Sequence, residues 1–592
     1  MKRRSFLQAA AVSGTSMLAA AARPNILWII GEDFSPDLGC YGNSLVHTPH
    51  LDRLASEGVR FSHAFVTAPV CSASRSAIAT GIYQTSIGAH HHRSHRTDGY
   101  RLPAPVQVFT EYFRKAGYHT SNVVTAATGL RGTGKTDFNF HAERVFDGTD
   151  WQQRKPGQPF YAQVNFPETH RAFRPSPERH IDRAKAIPPP YYPDHPAARE
   201  EWAVYLETAQ NLDANAGKVL DRLRDEGLLE ETIVFFFGDH GRPMPRGKQF
   251  LYDEGIRIPL IVRIPEKFQP PGFRPGSVRD DLVSAIDITA TSLKLAGIEP
   301  PGHMQGRPFL GANTKPREYV FAARDRCDET SDRIRAVRDA RFKYIRNYHP
   351  DRAWTQPNNY KDTAYPMLRL LRDLDRTGKL NAAQARFMAA KRPVEELYDT
   401  HSDPYELRNL ADSPEHARML ERMRGVLKEW IASTGDKGEI PEQPAAVEDT
   451  SYRTQVDGWC TRAFAAATRT GEALTVVCKG KTNSILRSCV TEGGDMVLEF
   501  RARSAAIRPQ MVFWGTIDKM VNQPDPENGA KLEFRPDGKW HDYSVPFRAA
   551  GFLGVIGLDL GPGEGSIEFD SIRLLRKTGS KTEIVERWDF AV

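Results

Sequence analysis

Five strand-like runs in the first 265 residues leave this chain few folds to choose from. They read NILWIIG (25–31), YHTSNVV (118–124), FYAQVNF (160–166), TIVFFFG (232–238) and PLIVRIP (259–265). A strand with one wet face alternates apolar and polar residues, whereas a run apolar at nearly every position is buried on both faces. Helical patterns lie between these runs: TPHLDRLASEG (48–58), PVQVFTEYFRKAG (105–117) and AREEWAVYLETAQNLDANAGKVLDRLRDEG (198–227). The last is one long amphipathic helix or a pair, stopped at Gly227. Strands alternating with helices predict an α/β fold, a large and mostly parallel sheet flanked by helices.

The pattern then changes twice. REYVFAARD and RFKYIRN read as strands, and EELYDTHSDPYELRNLAD leads into a terminal helix, PEHARMLERMRGVLKEWIAST. This predicts a smaller α+β subdomain over 316–445, packed on the main α/β domain of 23–315. A Pro- and Glu-rich linker, GDKGEIPEQPAAVEDTS, follows. After it DMVLEFRARS, QMVFWGT, AKLEFRPDGKWHDYSVPF, LGVIGLDLG and GSIEFDSIRLLRK alternate with turn signals. They predict a β-sandwich across 446–592. No internal repeat of fixed period is present.

The first 22 residues stand apart. MKRRSFLQAAAVSGTSMLAAAARPN opens with Arg3 and Arg4, continues through a modest Ala-rich stretch and offers small residues at Ala20–Ala22 for cleavage. RRSFLQ resembles a twin-arginine export signal, so a periplasmic or secreted location is expected. The apolar stretch is too short for a spanning helix, and no stable membrane insertion is expected. The net charge of +6 over 592 residues argues against a dedicated nucleic-acid binder, while a local basic pocket can still serve an anionic substrate. Of the six cysteines, Cys460, Cys478 and Cys489 lie closest together, and one disulfide among them is expected in an oxidising compartment.

Chemistry-bearing residues follow the strongest strands. Glu32 and Asp33 come after NILWIIG, and Asp239 and His240 come after TIVFFFG. In α/β sheets ligands bind beyond the carboxyl ends of strands. Adjacent carboxylates repel unless a cation lies between them, so these residues point to one divalent metal, with oxygen-rich ligation favouring Ca2+ or Mg2+ over Zn2+. A plain turn after each strand is the alternative. CSASRSAIATGIYQ (71–84) reads as a helix start, capped by Ser72 or Ser74. Its free amides attract an oxyanion, and Arg75 lies one turn on from Cys71. The plainer reading is a buried free cysteine.

At these residues the chain resembles the formylglycine-dependent sulfatases. CSASR matches that family's cysteine-x-proline/alanine-x-arginine signature. RPNILWIIGEDFSPDLGCYGN, TPHLDRLASEGVRFSHAFV and FFFGDHGRPMPRGKQFLYDEGIRIPLIVRIP resemble the surrounding family segments, and ELYDTHSDPYELRNLA extends the likeness. PPPYYPDHPAAREEWAVYLETAQNLDANAG looks most like the heparan N-sulfatase (sulfamidase) branch. The resemblance implies that a formylglycine-generating enzyme oxidises Cys71 to formylglycine. It also implies that Glu32, Asp33, Cys71, Asp239 and His240 form the metal site, with Ca2+ or Mg2+ bound. Arg75, Lys135 and Lys248 then neutralise sulfate, and His170 contacts it or protonates the leaving group. The substrate implied is a sulfated sugar, N-sulfoglucosamine or an O-sulfate ester.

Two positions depart from the family pattern. Glu32 replaces an aspartate, its longer arm still expected to reach the cation, and Asp137 in GKTDFNF stands where histidine is usual. Asp137 then serves as base, substrate contact or orienter. His90, His91, His92 and His95 in GAHHHRSHR either line the pocket or form a solvated loop. Arg171, Arg174, Arg242 and Arg246 either read a polyanionic sugar or lie on a solvated face. In the tail Trp514, Trp540 and Tyr543 either stack on sugar or fill a core. Two rival functions remain: a phosphatase or phosphonate monoester hydrolase of the same superfamily, and a carbohydrate-binding relative without activity.

Overall fold

The computed structural model describes residues 23–92, 99–124, 132–311, 314–440 and 454–590. The expected export segment 1–22, the later part of the linker and His95 lie outside these residues.

The central sheet has seven strands, β1 (Asn25–Gly31), β2 (Val59–Phe65), β3 (His119–Val123), β4 (Phe160–Phe166), β5 (Thr232–Gly238), β6 (Arg257–Arg263) and β7 (Val278–Ser284), in the order β3-β4-β1-β5-β6-β2-β7. Only β6 runs antiparallel to its neighbours. Its flanking helices are α1 (Pro49–Glu57), α2 (Cys71–Thr80), α3 (Phe109–Lys115), α4 (Pro196–Asp225), α5 (Asp253–Ile256) and α6 (Ala285–Leu295). The unbroken apolar runs are explained by β1. Ile26, Trp28 and Ile30 enter one core, while Leu27 and Ile29 enter another on the opposite face. The sequence reading missed β2 and β7. VRFSHAF and VRDDLVS sit at the far end of the sheet and carry polar side chains at partly exposed positions. The long pattern resolves as one helix of 30 residues, with Pro196 in its first turn and the His195 ring capping it by accepting from the Ala197 amide.

The subdomain sheet has four antiparallel strands rather than the two expected: β8 (Val320–Arg324), β9 (Ile334–Arg338), β10 (Phe342–Asn347) and β11 (Glu395–Asp399). Helices α7 (Asn359–Ala364), α8 (Pro366–Arg376), α9 (Ala382–Met388) and α10 (Ala417–Thr434) accompany it. The C-terminal unit is antiparallel β throughout. It comprises β12 (Gln455–Val456), β13 (Trp459–Thr470), β14 (Ala473–Arg503), β15 (Met511–Thr516), β16 (Gly529–Lys531), β17 (His541–Asp559), β18 (Gly563–Thr578) and β19 (Lys581–Asp589). These strands join in one eight-stranded ladder around a separate core that includes Trp459, Leu474, Phe500, Ile556 and Phe569. The segment read as a single strand from AKLEF to SVPF divides between β16 and β17.

The expected disulfide is absent, and all six cysteines are free. Cys478 and Cys489 both lie on β14, and Cys460 lies on β13. Cys460 stands opposite Leu486, and Cys478 stands opposite Ala465.

One loop of the fold positions the site more than any other. Residues 239–255 double back so tightly that a Cβ on Gly255 falls 2.2 Å from the Phe250 carbonyl oxygen and 2.3 Å from that of Gly247. The Gly241 amide donates to the Gly255 carbonyl at 2.9 Å, closing the loop. We expect Gly255→Ala to push this backbone apart at a cost of about 1–3 kcal/mol. A lowered thermal midpoint, together with weakened activity, is the check; an unchanged midpoint contradicts the packing described.

Candidate active site

Register sets the geometry. In the parallel pair of β1 and β5, Gly31 stands beside Gly238, so both strands end at the same level. Their next residues therefore meet. The Asp33 amide donates to Asp239 Oδ1 at 2.8 Å, and the Asp239 amide donates to the Gly31 carbonyl at 3.1 Å. Gly238 is required here, because a Cβ would lie 2.4 Å from the Phe34 carbonyl oxygen. Asp33 takes a left-handed φ of 53° and Gln249 one of 80°. Non-glycine residues held this way cluster at functional sites.

Helix α2 aims its first residue, Cys71, at this corner. Val70 is the extended residue before it, and no side chain caps the helix, so neither Ser72 nor Ser74 plays the role expected. The Ser74 hydroxyl instead donates to the Asp239 carbonyl at 2.5 Å. All ten residues of α2 are buried. The Cys71 sulfur lies 3.2 Å from His240 Nε2, 3.5 Å from Lys248 Nζ and 3.6 Å from Asp33 Oδ1. Lys248 also donates to Asp33 Oδ2 at 2.6 Å. Asp33, Cys71, Asp239 and His240 each bring one ligand atom to within 4.8 Å of the others.

Glu32, expected among the ligands, contacts two cations of the site. Its extra methylene carries the carboxylate to Lys135 Nζ at 3.0 Å, and Arg75 Nη2 stands 3.7 Å away. Arg75 Nε donates to Asp239 Oδ2 at 2.9 Å, with Nη2 at 2.9 Å from the same oxygen as an ion pair, and Nη1 donates to Asn165 Oδ1 at 2.7 Å. Asp137 lies 3.9 Å from Lys135, with a left-handed φ of 52° and a buried Oδ2 that meets no hydrogen-bond partner.

The electrostatics favour an anion at residue 71. Burial alone raises a thiol pKa, but Lys135, Lys248 and His240 outweigh it and bring Cys71 well below the ordinary range. Burial likewise opposes ionisation of Asp33, and Lys248, His240 and His170 override it. Burial disfavours a charged His240, yet Asp33 and Asp239 raise its pKa to about 10. His240 Nδ1 donates to the Gly241 carbonyl at 2.9 Å, leaving Nε2 to face the acidic corner. His170 Nδ1 donates to the Arg171 carbonyl at 2.6 Å, so its Nε2 is the nitrogen available for chemistry.

The remaining candidates are built into walls. His90 and His92 are buried, against the solvated-loop reading. His92 Nδ1 lies 3.2 Å from Asp328, and the Arg326 amide donates to His91 Nδ1 at 3.3 Å, so the histidines dock the 326–328 segment. Arg242 pairs with Asp37 at 3.0 Å and lies over Trp202 at 4.9 Å. Arg171 holds Glu201 and the Pro243 and Ala364 carbonyls, while Arg246 lies between Tyr191 and Tyr252. Only Arg174 of this group is exposed. In the tail Trp514 packs on Phe547, and Tyr543 lies between Phe500 and Phe534. Trp540 is covered by Arg503 at 4.7 Å.

Sequence reasoning missed three site residues. Asn165, the Arg75 partner, had a signal, since it is a polar side chain near the end of an apolar strand. Tyr360 and Lys361 of α7 had none. The Tyr360 ring lies 5.4 Å from Lys248 Nζ. Lys361 Nζ donates to the Pro245 carbonyl at 2.9 Å and the Lys248 carbonyl at 2.8 Å.

Comparison with known proteins agrees with this geometry. The Sulfatase family model matches residues 24–298, and the model for the C-terminal part of N-sulphoglucosamine sulphohydrolase matches residues 239–366. An ulvan-active sulfatase of Formosa agariphila is 38% identical over 473 residues, covering 71% of this chain and 76% of its own. The human N-sulphoglucosamine sulphohydrolase is 28% identical over 471 residues, covering 70% and 91%. Among solved structures, a putative sulfatase from Bacteroides thetaiotaomicron shares the fold at a TM-score of 0.51 and 20% identity, covering 72% and 96%. Another, bound to its substrate D-glucosamine-2-N,6-O-disulfate, does so at 0.50 and 18%, covering 71% and 100%. Such matches, over a strand-end site with Cys71 at a helix tip, place the chain in the sulfatase family, on its sulfamidase-like side, as a hydrolase of sulfuric esters or sulfamides.

Proposed function

We propose that the enzyme removes sulfate from a sulfated carbohydrate, as an N-sulfoglucosamine-type group or an O-sulfate ester. It does so with Cys71 oxidised to formylglycine by a formylglycine-generating enzyme, and with Ca2+ or Mg2+ in the site. The observation that carries this reading is residue 71 itself, at a helix tip within 3.6 Å of Lys248, His240 and Asp33. Sulfated glucosamines in the names of an aligned relative and of a solved neighbour support the substrate class. The twin-arginine-like start supports a periplasmic or secreted location. Among the described residues no helix is long and apolar enough to cross a membrane.

The donor set fits a hard divalent ion, with carboxylate oxygens and one imidazole gathered within 4.8 Å. Asp33, Asp239, His240 and residue 71 would hold it, and when bound it supplies Lewis-acid polarisation of the sulfuryl oxygens. Hydrated formylglycine supplies a geminal diol, one hydroxyl to attack sulfur and the other to expel sulfate. The chain does the rest. Lys135 and Lys248 make negative charge favourable at residue 71, against the cost of burial. With Arg75 they also neutralise the sulfate oxygens. His170, once protonated, donates from Nε2 to the departing nitrogen or oxygen. Glu32 holds Lys135 in place, and Asp137 orients it from the other side. Arg242, His91 and His92 shape the surrounding loops.

Mass spectrometry of the Cys71 peptide from active enzyme should show sulfur and two hydrogens lost and one oxygen gained, the change from thiol to aldehyde; full activity with an intact thiol would sink the mechanism. Arg75→Lys keeps a charge but loses the fork onto Asp239 and Asn165, and we expect kcat to fall about 100-fold, read with a sulfated glucosamine. Chelation should abolish turnover, and Ca2+ or Mg2+ should restore it. Glu32→Gln should lower kcat about tenfold by loosening Lys135 while cation affinity, read by calorimetry, stays put. A parallel loss of affinity makes Glu32 a ligand instead.

A further inference from the structure

A second cavity lies away from Cys71. A cleft of about 550 Å3 opens where the C-terminal β unit meets α8, a volume within the range of small-ligand sites, roughly 300–1,000 Å3. Helix α7 borders both regions, with Tyr360 beside Lys248 and Asp362 in the cleft wall. Arg369, Arg372 and Arg376 of α8 line the cleft at i, i+3 and i+7, one face of the helix, and Arg487 of β14 joins them.

Four arginines share three carboxylates here, while Asp457 of the lining pairs with Arg469. Asp373 serves both Arg369 at 2.8 Å and Arg376 at 3.2 Å. Glu586 serves Arg369 at 3.0 Å and Arg487 at 3.7 Å. Asp362 serves Arg372 at 2.6 Å and Gln455 at 3.1 Å. Each guanidinium carries five N–H groups, so shared carboxylates leave many unmet. Arg487 Nε is buried and reaches no hydrogen-bond partner. Burial and the neighbouring Arg369 together lower the Arg487 pKa to about 10, the mark of an under-neutralised cation. The Arg372 and Arg376 side chains are 34% and 73% exposed, so a ligand can reach them.

We propose that this cleft is a second binding site, taking an anionic sugar unit of the substrate chain by its sulfate or carboxylate through Arg372, Arg376 and Arg487. The proposal rests on the sulfated-carbohydrate reading above for its ligand class. Guanidinium forks match the planar carboxylate and the oxygens of sulfate, and a polar cleft of this size holds a sugar unit. A chain bound there and at the catalytic pocket gains affinity from both contacts.

The test uses the full chain carrying Cys71→Ala, so that nothing turns over. Calorimetry measures a heparin-derived hexasaccharide, its desulfated form and inorganic sulfate, at low and high salt. We expect Arg372→Ala/Arg376→Ala to weaken hexasaccharide binding at least tenfold, with salt weakening wild-type binding similarly. Equal binding of the desulfated form assigns the carboxylate as the group read. Arg376→Glu, at an exposed position, separates charge from folding and should weaken binding too. Wild-type affinity in both variants, or no hexasaccharide binding by the parent chain, overturns the proposal. Absence of sulfate release by the active enzyme overturns the catalytic reading alone, because the binding measurement needs no turnover.

Discussion

Three carboxylates buried at the ends of two neighbouring strands are the constraint on which the rest depends. Glu32, Asp33 and Asp239 are all nearly solvent-free. Isolated buried charge is prohibitively unfavourable, so each must be answered by an opposite charge. The answers come from separate segments: Arg75 from α2, Lys135 from the stretch after β3, and Lys248 and His240 from the loop after β5. Those segments are thereby pinned to one point. Such a network is poor evidence of net stability, because desolvation offsets much of the attraction, but breaking one partner is strongly destabilising. Its value is positional. Every cation that holds a carboxylate also stands near residue 71 or near the carboxylate beside it.

The same constraint bears on His240. His240 lies opposite Asp33, and the two aspartates raise its pKa against the effect of burial. Asp33, Asp239 and His240 would hold a divalent ion, and a histidine that ligates must be neutral. Lys248 bonds to Asp33 Oδ2 while His240 faces Oδ1, so the carboxylate is shared between a lysine and an imidazole.

Much of this was legible in the sequence because the relevant information is local. The apolar runs mark strands buried on two faces, and the acidic pairs just after two of them mark the strand ends. Cys71 and Arg75 fall one helical turn apart. What was illegible depends on distance along the chain or on competition between partners. No spacing rule says that Glu32 meets Lys135, and that contact follows from a reach that only the fold defines. Arg171 and Arg246 look like ligand readers as letters, yet they are consumed by aromatic faces and carbonyls. Strand β7 carries two aspartates because it lies at an edge, a fact that sequence order conceals.

Helix α7 shows why the C-terminal unit matters to the chemistry. Its inner side places Tyr360 beside Lys248 and ties Lys361 to the Pro245 and Lys248 carbonyls. Its outer side is gripped by the β unit, through Gln455 on Asp362 at 3.1 Å and Arg462 on the Thr363 hydroxyl at 2.7 Å. Six residues are too few to hold a helix by themselves, since nucleation is unfavourable and short helices rely on packing. The β unit therefore supports the wall from behind, and the lysine that faces residue 71 inherits its position partly from strands more than two hundred residues downstream.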